Sequence, residues 1–71
     1  MPDWEPVSSN HLEAVRYDET RRSLTIRFRD SREYEYEEVP VELYQDLLRA
    51  PSPSFFFRSR IKAQFRTNRL A

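Results

Sequence analysis

Seventy-one residues make one small domain, near the lower limit at which a single apolar core holds a fold unaided. The chain has no Cys, which excludes disulfides and thiolate metal sites, and no Gly, which excludes the phosphate-cradling and dinucleotide-binding loops built on that residue. Net charge is zero but unevenly spread: residues 1–48 hold six Arg and all twelve Asp and Glu, whereas residues 49–71 hold Arg49, Arg58, Arg60, Lys62, Arg66 and Arg69 and no acid.

Charged residues make up 34% of the chain, and no apolar run approaches the roughly 20 residues a membrane-spanning helix requires. The opening Met1-Pro2-Asp3-Trp4-Glu5-Pro6 carries no basic-then-apolar signal, so the expectation is a cytoplasmic protein with no membrane contact. Ten aromatic residues offset a short list of aliphatics and predict an aromatic core.

Residues 1–10 read as an irregular lead-in, rich in Pro, Ser and Asn, from which Trp4 and Val7 can pack on the body. Leu12–Tyr17 is the first strand, with Val15 and Tyr17 on one face and Arg16 on the other, ending in the polar turn Asp18-Glu19-Thr20-Arg21. Ser23–Arg29 follows, where Leu24, Ile26 and Phe28 alternate with Thr25, Arg27 and Arg29. The third strand is Glu33–Val39, whose Tyr34 and Tyr36 alternate with Glu33, Glu35 and Glu37, an apolar face against a wet one. Keeping faces matched puts Tyr17 opposite Leu24 and Val15 opposite Ile26. In the second hairpin it puts Phe28 opposite Tyr34 and Arg29 opposite Glu33, across the loop Asp30-Ser31-Arg32. That loop type needs a left-handed residue at its end, and Arg32 or a neighbour must supply it without Gly. The acid-lined third strand is then an open edge of the sheet.

Pro40 can open a helix in which Leu43, Tyr44, Leu47 and Leu48 form the apolar stripe. After Ala50-Pro51-Ser52-Pro53-Ser54, a second helix starts with Ser52 or Ser54 as its cap. Its Phe57, Ile61 and Phe65 step by four on one side, while helical spacing gathers Arg58, Lys62, Arg66 and Arg69 on another, with Phe55 near that stripe. The tail, Thr67 to Ala71, is read as extended and anchored by Leu70. The predicted fold class is α+β: a three-stranded antiparallel β-meander followed by two α-helices packed on one face, βββαα, in a single domain over residues 1–71.

No catalytic constellation is visible. His11 is the single histidine, and its closeness to Ser8 and Ser9 in an irregular segment defines no triad geometry. Glu35 and Glu37 share a wet strand face, where no burial raises a carboxylate pKa. No cofactor and no metal are expected.

The order Ser-Asn-x-Leu-x-x-Val-x-Tyr-Asp from Ser9 to Asp18, then Tyr34-x-Tyr36-x-x-Val39-Pro40, Tyr44-x-x-Leu47-Leu48-x-Ala50, Phe56-Phe57-x-x-x-Ile61 and Arg69-Leu70 resembles the KTSC domain. This bacterial family occurs at the C-terminus of some lysyl-tRNA synthetases and as stand-alone small proteins. The resemblance covers residues 7–70 and implies a domain family with no established activity, with RNA binding as the suggestion that follows from the synthetase. The chain departs from the family pattern where Gly is usual, at Arg16, in the Asp30–Arg32 loop and at Ser54, and it has Arg58 where Asn is common.

Two functional expectations follow. The first is a non-catalytic RNA-binding module, for tRNA or single-stranded RNA, using Arg58, Lys62, Arg66 and Arg69 for phosphates and Phe55 for stacking. The second is a protein-interaction accessory in which the same basic helix docks on an acidic protein surface and binds no nucleic acid.

Overall fold

The structure is a computed structural model and describes residues 3–71. Met1 and Pro2, at the start of the expected lead-in and domain, lie outside the described residues. Seven elements follow in chain order: β1 (Glu5–Pro6), β2 (Leu12–Asp18), β3 (Ser23–Phe28), β4 (Glu33–Tyr36), α1 (Val41–Arg49), α2 (Pro53–Arg60) and β5 (Thr67–Arg69). The strands form one antiparallel sheet in the order β1-β2-β3-β4-β5, and Leu47 of α1 and Phe57 of α2 join Val15, Leu24, Ile26 and Tyr36 in a single core.

The α+β class and the central β3 therefore hold, but the sheet has five strands where three are expected. The two added strands are short and exposed, so neither carries the period-two alternation that marks a half-buried strand. Backbone bonds hold them instead. Val7 N–H donates to the Glu13 carbonyl, Leu70 N–H to the Glu33 carbonyl and Glu37 N–H to the Arg66 carbonyl. The third strand is thus not an open edge, because β5 covers it, and it stops at Tyr36. Leu70 remains 48% exposed, so it does not anchor the tail.

The first hairpin has the expected register, Tyr17 opposite Leu24 and Val15 opposite Ile26, with an irregularity between Leu12 and Ala14 that leaves both buried. The second is shifted by two residues: Ile26 faces Tyr34, Leu24 faces Tyr36 and Arg27, not Arg29, faces Glu33. Both registers put the same side chains on the same face, so alternation alone does not separate them. The turn decides. Ser31 N–H donates to the Phe28 carbonyl and Phe28 N–H to the Arg32 carbonyl, closing the loop over Arg29-Asp30-Ser31. Its left-handed residue is Ser31, at φ 76°, and the Asp30 carboxylate accepts from Arg32 N–H and pairs with the Arg32 guanidinium at 2.7 Å.

The opposite face of the sheet is less wet than the alternation suggests. Trp4 lies across it, with the Arg16 and Arg27 guanidiniums 4.5 and 4.3 Å from its ring centroid, and Ser23 and Thr25 are buried there. Arg27 also meets Glu33 at 3.0 Å.

Glu38, at φ 55°, turns the chain out of the sheet, and the fully buried Val39 leads into Pro40. Pro40 sits one position earlier than the first helical turn requires: it is the N-cap, and its carbonyl accepts from Leu43 and Tyr44 N–H. Tyr17 fixes this crossing. Its hydroxyl donates to the Val39 carbonyl and its ring stacks on Tyr44, centroids 4.8 Å apart and planes 11° apart.

Ser52 is the cap of α2, accepting from Phe55 N–H at 3.4 Å. The helix ends at Arg60, earlier than the four-residue step of Phe57, Ile61 and Phe65 implies. Ala63 adopts φ 65°, so Ile61 is fully buried from a C-cap position and Phe65 reaches the core from a turn, half-buried. Phe28, Tyr34 and Leu43, read on apolar faces, are likewise half-buried; Val7 is buried as its reading allows, and Leu12 and Val39 are fully buried.

Ser31→Gly relieves a left-handed conformation that costs a residue with Cβ roughly 1–2 kcal/mol, offset in part by the looser unfolded chain. The expected outcome is a higher urea midpoint, equivalent to about 0.5–1 kcal/mol of unfolding free energy, with no gain from Arg32→Gly. Tyr17→Phe leaves the Val39 carbonyl without that donor and is expected to cost about 1–3 kcal/mol in the same measurement.

Candidate functional site

The early end of α2 dissolves the basic stripe as a single helical face. Arg58 is exposed on α2, Lys62 lies in the turn after it, Arg66 precedes β5, and Arg69 is on β5 opposite Tyr34. Phe55 is 63% exposed in the first turn of α2, packed neither in the core nor under the inter-helix loop. The sequence spacing presumed a helix running through residue 66, and the left-handed Ala63 breaks that assumption without a Gly to announce it.

What the fold assembles instead is a groove between the β4–β5 edge and the turn following α2. It has a volume of about 400 Å³ and is lined by Phe28, Tyr34, Tyr36 and Phe57 together with Arg32, Lys62, Ala63 and Thr67. Sheet pairing explains the wall: Tyr36 sits opposite Thr67 and Tyr34 opposite Arg69, so strand side chains of both edges share this face. The rings meet edge to face, with Phe28 5.7 Å from Tyr34 and 5.5 Å from Phe57, and Tyr36 5.6 Å from Phe57. Tyr36 and Phe57 are buried and act as the floor; Phe28 and Tyr34 are half-buried and present ring surface to the groove. The Arg69 guanidinium lies 6.0 Å from the Tyr34 centroid.

Of the residues expected to act, Lys62 lines this groove and Arg69 flanks it, whereas Arg58, Arg66 and Phe55 do not line it. Of the motif residues, Tyr34 and Tyr36 line it, while Val39 and Pro40 serve the crossing into α1. Phe28, Phe57, Arg32 and Thr67 were not foreseen as a lining. The signal for Phe28 was its place on the same face as Tyr34; for Thr67 there was none, since β5 has no sequence pattern.

Charge is distributed unevenly in space as well. The ion pairs among the described residues are Arg21–Glu35, Arg27–Glu13, Arg27–Glu33 and Arg32–Asp30, all within the acidic stretch of the chain. No Asp or Glu side chain pairs with a cation of residues 49–71 among the described residues, so the two halves do not neutralise each other by direct pairing; Arg69 Nε donates instead to the Ala71 oxygen at 3.2 Å. Elsewhere, His11 is exposed, and Ser9 Oγ accepts from the His11 and Leu12 N–H groups, an ordinary turn into β2. Among the described residues no group of three or more His, Cys, Asp or Glu is arranged to hold a metal ion, and no helix is long and apolar enough to cross a membrane.

Burial pushes the Tyr36 hydroxyl up to about 12, with the neighbouring Tyr34 adding to the effect. Below pH 10 the group is neutral in both folded and unfolded chains and contributes no pH dependence. Above it the unfolded chain loses this proton first, so folding stability falls as pH rises from about 10 to about 12. Tyr36→Phe is expected to make that decline shallower in urea unfolding series across this range.

The KTSC domain profile matches residues 8–65. A protein of Tsukamurella paurometabola is 40% identical over 62 residues, covering 87% of this chain and 92% of its own length. A lysine–tRNA ligase of a Nostoc species is 37% identical over 60 residues; the match covers 84% of this chain but only 11% of the ligase, and the Trichormus variabilis ligase, 33% identical, shows the same coverage. The crystal structure of a KTSC domain protein from Yersinia pestis superposes with a TM-score of 0.96 over all of both chains, at 32% identity. With the Tyr-x-Tyr pair in place at the groove and the Val-Pro step at the sheet-to-helix crossing, the chain belongs to the KTSC domain family.

Proposed function

We propose that this domain is a non-catalytic, cytoplasmic binding module for single-stranded RNA, which it engages at the aromatic groove and the basic segment around it. The observation that carries the reading is the groove itself: half-exposed rings of Phe28 and Tyr34 beside Lys62 and Arg69, neither of which pairs with an Asp or Glu side chain among the described residues. Unstacked bases lay their faces on aromatic rings, and their phosphates are drawn to nearby cations. Duplex RNA, read mainly through its shape and backbone, has no use for a ring-floored hollow. The match to a small part of two lysine–tRNA ligases supports the same direction, a domain carried alongside tRNA chemistry.

Arg58 and Arg66 extend the basic surface outside the groove and would follow the backbone of a longer strand. The zero net charge of the whole chain predicts modest affinity compared with strongly basic domains. The alternative, an accessory that docks the same basic segment on an acidic protein surface, draws on the exposed Arg58 and Lys62 and requires no nucleic acid.

Fluorescence anisotropy of labelled single-stranded RNA and tRNA at two salt concentrations separates these readings. Binding through the basic segment weakens steeply with salt, and reversing Arg58 and Lys62 to Glu is expected to lower both affinity and salt slope while leaving the melting temperature nearly unchanged. An unaltered affinity in the folded double variant, or no binding by the parent at either salt, would defeat the proposal.

A further inference from the structure

We infer that the groove is a single-nucleotide pocket, taking one base against Tyr34 and Phe28 and the phosphate of the same nucleotide at Lys62; this rests on the RNA-binding reading and narrows it. Size is the first argument. A hollow of about 400 Å³ is at the small end of ligand pockets, which run to roughly 1,000 Å³, and suits one nucleotide instead of a run of bases. It is bounded by Tyr34, Tyr36 and Thr67 of the β4–β5 edge and by Lys62 and Ala63 of the turn after α2, and a strand would enter it by turning one base inward.

Chemistry is the second argument. Phe28 and Tyr34 stand at 74° to one another, so a flat base that covers one ring meets the edge of the other, the arrangement that rings themselves prefer. At the rim, Lys62 is exposed and has no carboxylate partner among the described residues, while Arg32 is already held by Asp30 at 2.7 Å. Asp30 is kept charged by the Arg32 backbone N–H, which holds its carboxyl below the ordinary value. The Arg32 charge is therefore answered within the loop, and Lys62 is the cation open to a phosphate. Thr67 lines the same hollow, and its hydroxyl donates to the Phe65 carbonyl, which leaves its oxygen available to accept from a sugar or base donor.

The experiment is NMR titration of the isotope-labelled full chain with adenosine 5′-monophosphate, uridine 5′-monophosphate, adenosine and inorganic phosphate, beside a single-stranded ten-nucleotide RNA. Either nucleotide is expected to move the ring resonances of Phe28 and Tyr34 and the amide of Lys62. Adenosine is expected to move the rings alone and more weakly, and phosphate to move Lys62 alone. Tyr34→Leu is expected to weaken nucleotide binding by about five- to 100-fold, as loss of a stacking ring does. Lys62→Gln is expected to reduce the logarithmic salt slope by about one. Lys62 is exposed, so this second variant keeps the test decisive if Tyr34→Leu does not fold. Binding of the ten-nucleotide RNA with no nucleotide-induced shift at Phe28, Tyr34 or Lys62 overturns the pocket and leaves the RNA-binding reading standing. Absence of any shift with either the RNA or the nucleotides overturns both.

Discussion

The rest of the structure depends on how Tyr17 ties the sheet to the chain that leaves it. A strand-to-helix crossing in so small a domain must bury backbone polar groups, and a buried carbonyl without a donor is costly. Here the Tyr17 hydroxyl serves the Val39 carbonyl, and Val39 N–H in turn donates to the carbonyl of Arg22 in the first hairpin turn. Val39 is therefore held from both sides by residues of the β2–β3 hairpin. With Val39 fixed, Pro40 can only start α1 in one direction, and the stack of Tyr17 on Tyr44 sets the rotation of that helix about its axis. The position of α1 sets the linker to α2, and α2 delivers Phe57 against Phe28 and Tyr36, the floor of the groove. A contact made by β2 thus determines the shape of a site at the β4–β5 end of the same face.

Alternation made the middle of the sheet legible, because strands with one wet and one buried face write that fact into every second residue. Tyr17 against Leu24 was readable for this reason. The second hairpin shows the limit of the same signal: a slip of two residues preserves every face, so the choice fell to turn chemistry, and Ser31 carries a positive φ that a chain with Gly would have marked. β1 left no trace, and β5 showed only as an extended tail without a pairing partner, since strands held by backbone bonds with exposed side chains impose nothing on residue type. Trp4 was readable as able to pack on the body, but not the clasp of its ring by Arg16 and Arg27, a contact between distant residues with no local period.

The site was half legible. Tyr34 and Tyr36 stood out as a pair, and Lys62 and Arg69 stood out as cations in an acid-free segment. What joined them was not helical spacing but the return of the chain to the sheet after Ala63, an event that depends on a left-handed residue of a type that rarely adopts that conformation. The step of four from Phe57 through Ile61 to Phe65 was a correct reading of which side chains face inward and an incorrect reading of the backbone that places them. Phe55 illustrates the converse: it is exposed, as a stacking ring would need, yet it does not line the groove.

The β4–β5 ladder has a consequence for the order in which the domain comes together. The hairpins β2–β3 and β3–β4 join residues near in sequence, whereas Tyr34 meets Arg69 only after both helices have been placed. Closing a long loop loses chain entropy before any contact compensates for it, so topology assigns the ladder to a late stage of folding. One wall of the groove belongs to this late and lightly held strand, whose side chains are exposed throughout. A ligand bridging Tyr34 and Thr67 would fasten the last strand to the sheet, coupling occupancy of the groove to completion of the fold.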